Sequence, residues 1–287
     1  MAEEVLSQPP GPSAAVSDPP LRQVELPLGL ISYTDEGPAA APVLFALHGV
    51  PGSVRDFRYL APHLTEEVRL IRVDLPGFGG SPPSEAAVRS LAGRAHVVSA
   101  LAALLDLPRY GVLGHSMGGG TALVLAADQP RRVSFLGLVA SLGLTPHRGL
   151  LLPPRWFTGL ARALENRAGA ALLVPLLRAQ YRRRRFPGAD QMNAAAFALQ
   201  CRAIAAADCA LVRRAAEGPR PPTLVAYAKD DPLVQAWISE ELAAAMPDAR
   251  VLAFASGGHH LQKTRALDLA LAIRAGLGLS TGAYGAS

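Results

Sequence analysis

The sequence is poor in cysteine, lysine, aromatic side chains and charge, and each shortage excludes something. Two cysteines, Cys201 and Cys209, stand eight residues apart in an Ala-rich segment that reads as one helix. That supply offers neither a disulfide framework nor a clustered set of metal ligands. Low cysteine use reads as intracellular, and the cytoplasm is the expected location. Only two of the 28 basic residues are lysines, Lys229 and Lys263, beside abundant Ala, Gly and Pro. Arginine-for-lysine usage of this kind looks like a coding bias, so the net charge of +5 is discounted as a nucleic-acid footprint. Aromatic residues make up 6%, and none interleave with the arginines in the way that base stacking requires, so no nucleic-acid partner is expected. Long apolar runs are missing as well. The charge-free stretch Gly37 to Val54 is broken by Pro38, Pro42, His48 and Pro51, so it cannot be a spanning helix. Residues Met1 to Ala15 carry Glu3 and Glu4 and lack the basic-then-apolar order of a signal peptide. With 50% hydrophobic and 18% charged residues, the 287-residue chain is not disordered throughout and can build one large α/β domain or two small ones.

Residues 1–20, rich in Pro, Ser and Ala, cannot supply a packed face and read as a disordered leader. Beyond them, short apolar runs alternate with helical patterns: VLFAL (43–47), LIRVD (70–74), YGVLG (110–114), FLGLVA (135–140), TLVAYA (223–228) and RVLAFA (250–255). Uninterrupted apolar runs fit strands covered on both faces, hence a parallel sheet with helices between its strands. QVELPLGLISYTDEG reads as an opening hairpin of that sheet. Ser84 is the expected start of a helix from Glu85 to Leu105, and Thr264 or Lys263 that of the last helix, which stops near Gly276. Between the runs at 135–140 and 223–228 the alternation gives way to several helices, with Pro153, Pro154, Pro175 and Pro187 as breaks. The expected fold is α/β: a mostly parallel sheet of about eight strands with helices on both faces and a helical cap inserted after the sixth strand. Its core would span 21–144 and 216–287, with a cap over 145–215 at the C-terminal edge of the sheet, where open α/β folds bind ligands.

The sharpest chemical signal is Gly114-His115-Ser116-Met117-Gly118, between an apolar strand and the apolar helix GGTALVLAA. A serine on a tight strand-to-helix turn needs neighbours without side chains at minus two and plus two, which Gly114 and Gly118 provide. A serine hydroxyl is a weak nucleophile near neutral pH and requires a base and a group that orients the base. Candidates lie downstream, each just past a strand: Asp230 and Asp231 after TLVAYA, His259 and His260 after RVLAFA.

HGVPG at 48–52, DLPGFGGS at 74–81, GHSMGG at 114–119, and the pair DDPLV with GGHHLQ together resemble the α/β-hydrolase superfamily, over about residues 25–276. The resemblance implies a serine hydrolase with Ser116 as nucleophile, Asp231 as acid and His259 as base, rather than their neighbours Asp230 and His260. It also implies an oxyanion hole from the Val50 and Met117 N–H groups, and Pro51, lacking an N–H, could not replace Val50. His48, Gly49, Gly114, His115 and Gly118 would support these groups. His48 reads as a structural hydrogen-bonding residue under the oxyanion loop, and Asp74 with Pro76, Gly77 and Gly79 as a strand-end turn. His63, His96 and His147 have no partner at metal spacing and read as surface or packed residues.

The resemblance implies no cofactor and no metal. Dehalogenases and epoxide hydrolases of the family carry aspartate where Ser116 stands, which demotes both. Proline iminopeptidases need acidic cap residues, which this cap has few of. The expected reaction is cleavage of an ester-like bond in a small, largely hydrophobic substrate through an acyl-enzyme intermediate. Cap residues Trp156, Phe157, Leu172, Leu173, Leu176 and Leu177 favour an apolar group. Carbon–carbon bond hydrolysis, perhydrolysis, aminopeptidase activity and a non-catalytic scaffold stay open, as does the oligomeric state. Residues 145–215 hold twelve arginines against Glu165, Asp190 and Asp208, a net +9. Such a cap reads either as a contact for a membrane surface or an anionic substrate or as a solvated helix face, and the sequence favours the solvated face.

Overall fold

The computed structural model describes residues 18–84, 90–146, 154–183 and 189–279. Eight strands form one sheet: β1 (Arg22–Leu26), β2 (Gly29–Glu36), β3 (Val43–Leu47), β4 (Arg69–Val73), β5 (Tyr110–His115), β6 (Val133–Val139), β7 (Thr223–Ala228) and β8 (Arg250–Phe254). Their spatial order is β1-β2-β4-β3-β5-β6-β7-β8. β1 and β2 make the expected hairpin, with Leu26 opposite Gly29, and β2 is also antiparallel to β4. All pairings from β4 to β8 are parallel.

The apolar runs are strands because both of their faces are covered. Every residue of β3, β5 and β7 is buried. Side chains alternate between two cores as the strand period requires: Phe45, Leu47 and Val112 join one face, and Leu44, Ala46 and Leu113 the other. The first face is packed by α1 (Leu91–Leu104) and α2 (Met117–Asp128), the second by α9 (Ala266–Gly276) through Leu269 and Ile273.

Between β6 and β7 lie α3 (Pro154–Glu165), α4 (Arg167–Arg183), α5 (Ala194–Ala205) and α6 (Cys209–Glu217). Phe157, Ala161 and Leu164 of α3 form a separate small core with Phe197, Ala198 and Cys201 of α5. α6 instead sends Val212, Ala215 and Ala216 into the core on the first face of the sheet. Two short helices complete the order: α7 (Ala236–Ala244) after β7 and α8 (Leu261–Thr264) after β8.

Several local expectations are corrected. The N-cap of α1 is Ser90, whose side chain accepts the Gly93 N–H at 2.9 Å, while residues 85–89 lie outside the described residues. The cysteines sit on different helices, because Asp208 accepts the Leu211 N–H and starts α6 anew. Pro175 does not break α4; it lies on the exposed side of the helix, where water can satisfy the carbonyl its missing N–H leaves free. The last helix, α9, starts slightly later than expected, after Arg265, with the separate short helix α8 just before it. Most of the leader (1–17), His147, Pro153 and Pro187 lie outside the described residues, whereas Asp18 is paired with the buried Arg72 at 2.9 Å.

Candidate active site

The site begins where β5 ends. Ser116 has φ 53° and ψ −121°, a left-handed conformation that costs a non-glycine residue about 1–3 kcal/mol. Its surroundings hold it there: Ser116 N–H donates to Val139 O, and Ser116 O accepts from the Gly119 and Leu142 N–H groups, all at 2.9 Å. The flanking glycines are a steric necessity. A Cβ on Gly114 would lie 2.3 Å from the Gly118 carbonyl oxygen, and one on Gly118 would lie 2.3 Å from that of Leu47. The Ser116 hydroxyl does not cap α2. Met117 opens that helix, so its N–H has no intrahelical acceptor.

Beyond β7, the two adjacent aspartates diverge. Asp231 Oδ1 accepts the Leu233 N–H at 2.7 Å and the Val234 N–H at 3.0 Å, while Oδ2 accepts from His259 Nδ1 at 2.8 Å. A proton on Nδ1 leaves the lone pair of His259 on Nε2. Asp230 Oδ1 accepts the Gly257 and Gly258 N–H groups at 2.9 and 2.8 Å, bracing the loop that carries His259. Gly258 has φ 65° there, the left-handed region where glycine is unstrained.

His115 ties the serine turn to the loop after β8. Its Nε2–H donates to the His259 carbonyl at 2.8 Å, and its ring lies 4.7 Å from that of His259 and 5.2 Å from that of His260. Burial pulls the His115 pKa well below the ordinary imidazole range. Burial, aided by the Lys263 charge, pulls that of His260 down to about 4. Both rings are neutral near pH 7. Lys263 Nζ in turn donates to Asp56 at 2.8 Å, tying α8 to the 3₁₀ turn Val54–Phe57 that follows the β3 loop.

That β3 loop crosses the serine turn. A Cβ on Gly49 would sit 3.0 Å from Ser116 Cβ and 3.2 Å from His115 Nδ1. His48 lies beneath it, fully buried, donating from Nδ1 to Gly49 O at 2.6 Å and accepting the Leu75 N–H on Nε2 at 2.9 Å. Burial lowers its pKa, which suits a ring that must keep one nitrogen as an acceptor. Asp74 accepts the Val54 and Gly80 N–H groups at 2.7 and 2.8 Å, closing the turn after β4.

Ser116, Asp231 and His259 therefore sit on loops at the same ends of β5, β7 and β8, with Asp231 and His259 in direct contact. The Ser116 hydroxyl is not among the hydrogen bonds that the described residues form; contacts of this kind often close only around a substrate. Over the β3 loop, Val50 and Phe78 pack against Leu199 and Ala203 of α5. Of the apolar residues expected in a cap, Phe157, Leu173 and Leu177 pack in the small separate core of α3 and α5, and Trp156, Leu172 and Leu176 are exposed. Burial raises both cysteine thiols to about 11, so neither offers a thiolate near neutral pH. Among the described residues, no group of three or more His, Cys, Asp or Glu could hold a metal ion.

Sequence reasoning missed the bracing role of Asp230 and the bridging role of His115. The signal was available, since two consecutive acids after a strand can serve two loops when their side chains diverge.

The family model for the alpha/beta hydrolase fold matches residues 42–266. A dihydrolipoyllysine-residue acetyltransferase component of an acetoin cleaving system from Pseudomonas putida is 30% identical over 248 residues, covering 81% of this chain and 62% of that protein. A putative carbamate hydrolase, RutD, from Variovorax paradoxus is 28% identical over 262 residues, covering 82% of this chain and 91% of that protein. The chain thus spans less than two thirds of the Pseudomonas relative but most of the Variovorax one. Among solved structures, the enol-lactonase of Burkholderia xenovorans LB400 has the same fold, with a TM-score of 0.72 at 22% identity, over 90% of this chain and 100% of that one.

Proposed function

Because the chain belongs to the alpha/beta hydrolase fold family, we propose that it is a serine hydrolase that cleaves ester-like bonds through an acyl-enzyme. His259, oriented by Asp231, takes the Ser116 proton on Nε2 as Oγ attacks the carbonyl carbon. The oxyanion is received by the Val50 and Met117 N–H groups, and His259 then protonates the leaving alcohol. A water, deprotonated by the same imidazole, releases the acid and restores the serine. Two preorganised backbone donors supply a few kcal/mol of transition-state stabilisation. The observation that carries this reading is the buried Asp231–His259 pair beside the strained Ser116 turn.

A small, largely apolar substrate is supported by Val50, Phe78, Leu199 and Ala203 rather than by the leucines of α4. The test is covalent labelling with a fluorophosphonate, followed by a panel of aryl esters of increasing acyl length with a lactone, a thioester and an amide. Labelling lost in Ser116→Ala and fastest turnover on esters are expected. Folded wild-type protein that takes no label, or label that survives Ser116→Ala, overturns the reading.

A further inference from the structure

α4 carries apolar residues on both of its sides. Leu173, Val174, Leu177 and Tyr181 face the cap core. On the opposite side, Ala168, Ala171, Leu172, Pro175, Leu176 and Ala179 are all exposed, Leu172 by 68% and Leu176 by 60%. Spaced at three and four residues, they form one continuous stripe along a helix of 17 residues, about 25 Å long. The stripe runs into exposed Arg182 and Arg183. Trp156, at the start of the neighbouring α3, is 57% exposed. A row of leucines left in water is costly, so the face calls for a covering surface.

We propose that α4 docks on an anionic lipid surface, with Leu172 and Leu176 inserted at the headgroup boundary and the arginines on the phosphates. Three observations select this occupant. No residue of α4 is fully buried, so the helix lies at the outer surface, where a bilayer interface can reach it. The cap segment bears a net +9, which repels a second copy of itself and attracts acidic headgroups. Arg182 faces the exposed Asp190 at 3.5 Å, an ion pair that headgroup phosphates can replace. Among the described residues no single helix, α4 included, is long and apolar enough to cross a membrane. The composition of the cap favours a solvated face; the direction of the leucines is the observation that argues for the lipid surface instead.

The experiment is co-sedimentation of the full chain with vesicles of phosphatidylcholine alone and of phosphatidylcholine mixed with phosphatidylglycerol, at low and high salt. Binding should favour the anionic vesicles by about tenfold or more and weaken with salt. The double variant Leu172→Asp/Leu176→Asp should lose about tenfold of that binding, as should Arg182→Glu/Arg183→Glu, with thermal melting unchanged because the side chains are exposed. The readout does not depend on turnover, so it stands or falls apart from the chemistry at Ser116. No binding to anionic vesicles overturns the proposal, as does equal binding by the leucine variant. A wild-type dimer that the leucine variant converts to monomer, without vesicle binding, assigns the face to self-association and overturns it too.

Discussion

Replacing Asp231 by Asn preserves the loop after β7 while changing the one property that the imidazole depends on. The amide oxygen can still accept the Leu233 and Val234 N–H groups, now at 2.7 and 3.0 Å. This leaves the NH₂ group facing His259 Nδ1, where a carboxylate oxygen stands at 2.8 Å. An NH₂ donates and cannot accept, so Nδ1 becomes the acceptor and the ring proton moves to Nε2. The proposed general base is then occupied, and the charge that would steady the imidazolium is gone. A wrong-tautomer substitution of this kind lowers kcat by about 10⁴, equivalent to about 5.5 kcal/mol of transition-state stabilisation. Asp230→Asn makes the contrast. Its amide oxygen can keep both bonds to Gly257 and Gly258, so a loss within about tenfold is expected, the size of one weakened charge-assisted hydrogen bond. Steady-state kinetics on the best ester from the panel, with fluorophosphonate titration of active sites and thermal melting to verify folding, gives both numbers. Near wild-type turnover in Asp231→Asn together with collapse in Asp230→Asn would refute the assignment.

Two further outcomes follow from the geometry. Gly118→Ala drives a methyl to 2.3 Å from the Leu47 carbonyl, so either β3 or the serine turn must move. A loss of more than about 2 kcal/mol in chemical denaturation is expected, with turnover falling alongside, and a neutral effect on both would contradict the packing. Stability should also fall on acidification. His48, His115 and His260 all have depressed pKa values in the folded chain, with burial as the first cause, and His260 lies near 4. The unfolded chain binds those protons near pH 6.5, so the stability is complete above that pH and is lost as the pH falls towards the folded values. Each ring steepens the decline by up to about 1.4 kcal/mol per pH unit, and His260→Gln should flatten it by one ring's share. Urea denaturation at steps from pH 8 to 5 measures this, and a flat profile would contradict it.

The strands were legible because burial on both faces writes itself as uninterrupted apolar runs: VLFAL and TLVAYA coincide with β3 and β7 residue for residue. The serine turn was legible because backbone crowding leaves room only for glycine at 114 and 118. Helix starts were less so. Ser84 and Ser90 are equivalent as caps on paper, and Ser90 is the cap of the described helix, its side chain accepting the Gly93 N–H. The direction in which the cap leucines face was not legible, because composition counts apolar residues without saying which neighbour covers them. Nor was the division of labour between Asp230 and Asp231, which depends on side chains leaving adjacent positions towards different loops.

Every group assigned to the reaction hangs from the sheet, through the loops after β3, β5, β7 and β8, and α4 contributes none of them. On the two proposals together, chemistry and address lie on separable parts of one chain. The outer face of α4 could then be recoded, from leucine to acid or from arginine to neutral, to send the same catalyst to another surface without retuning a single proton transfer.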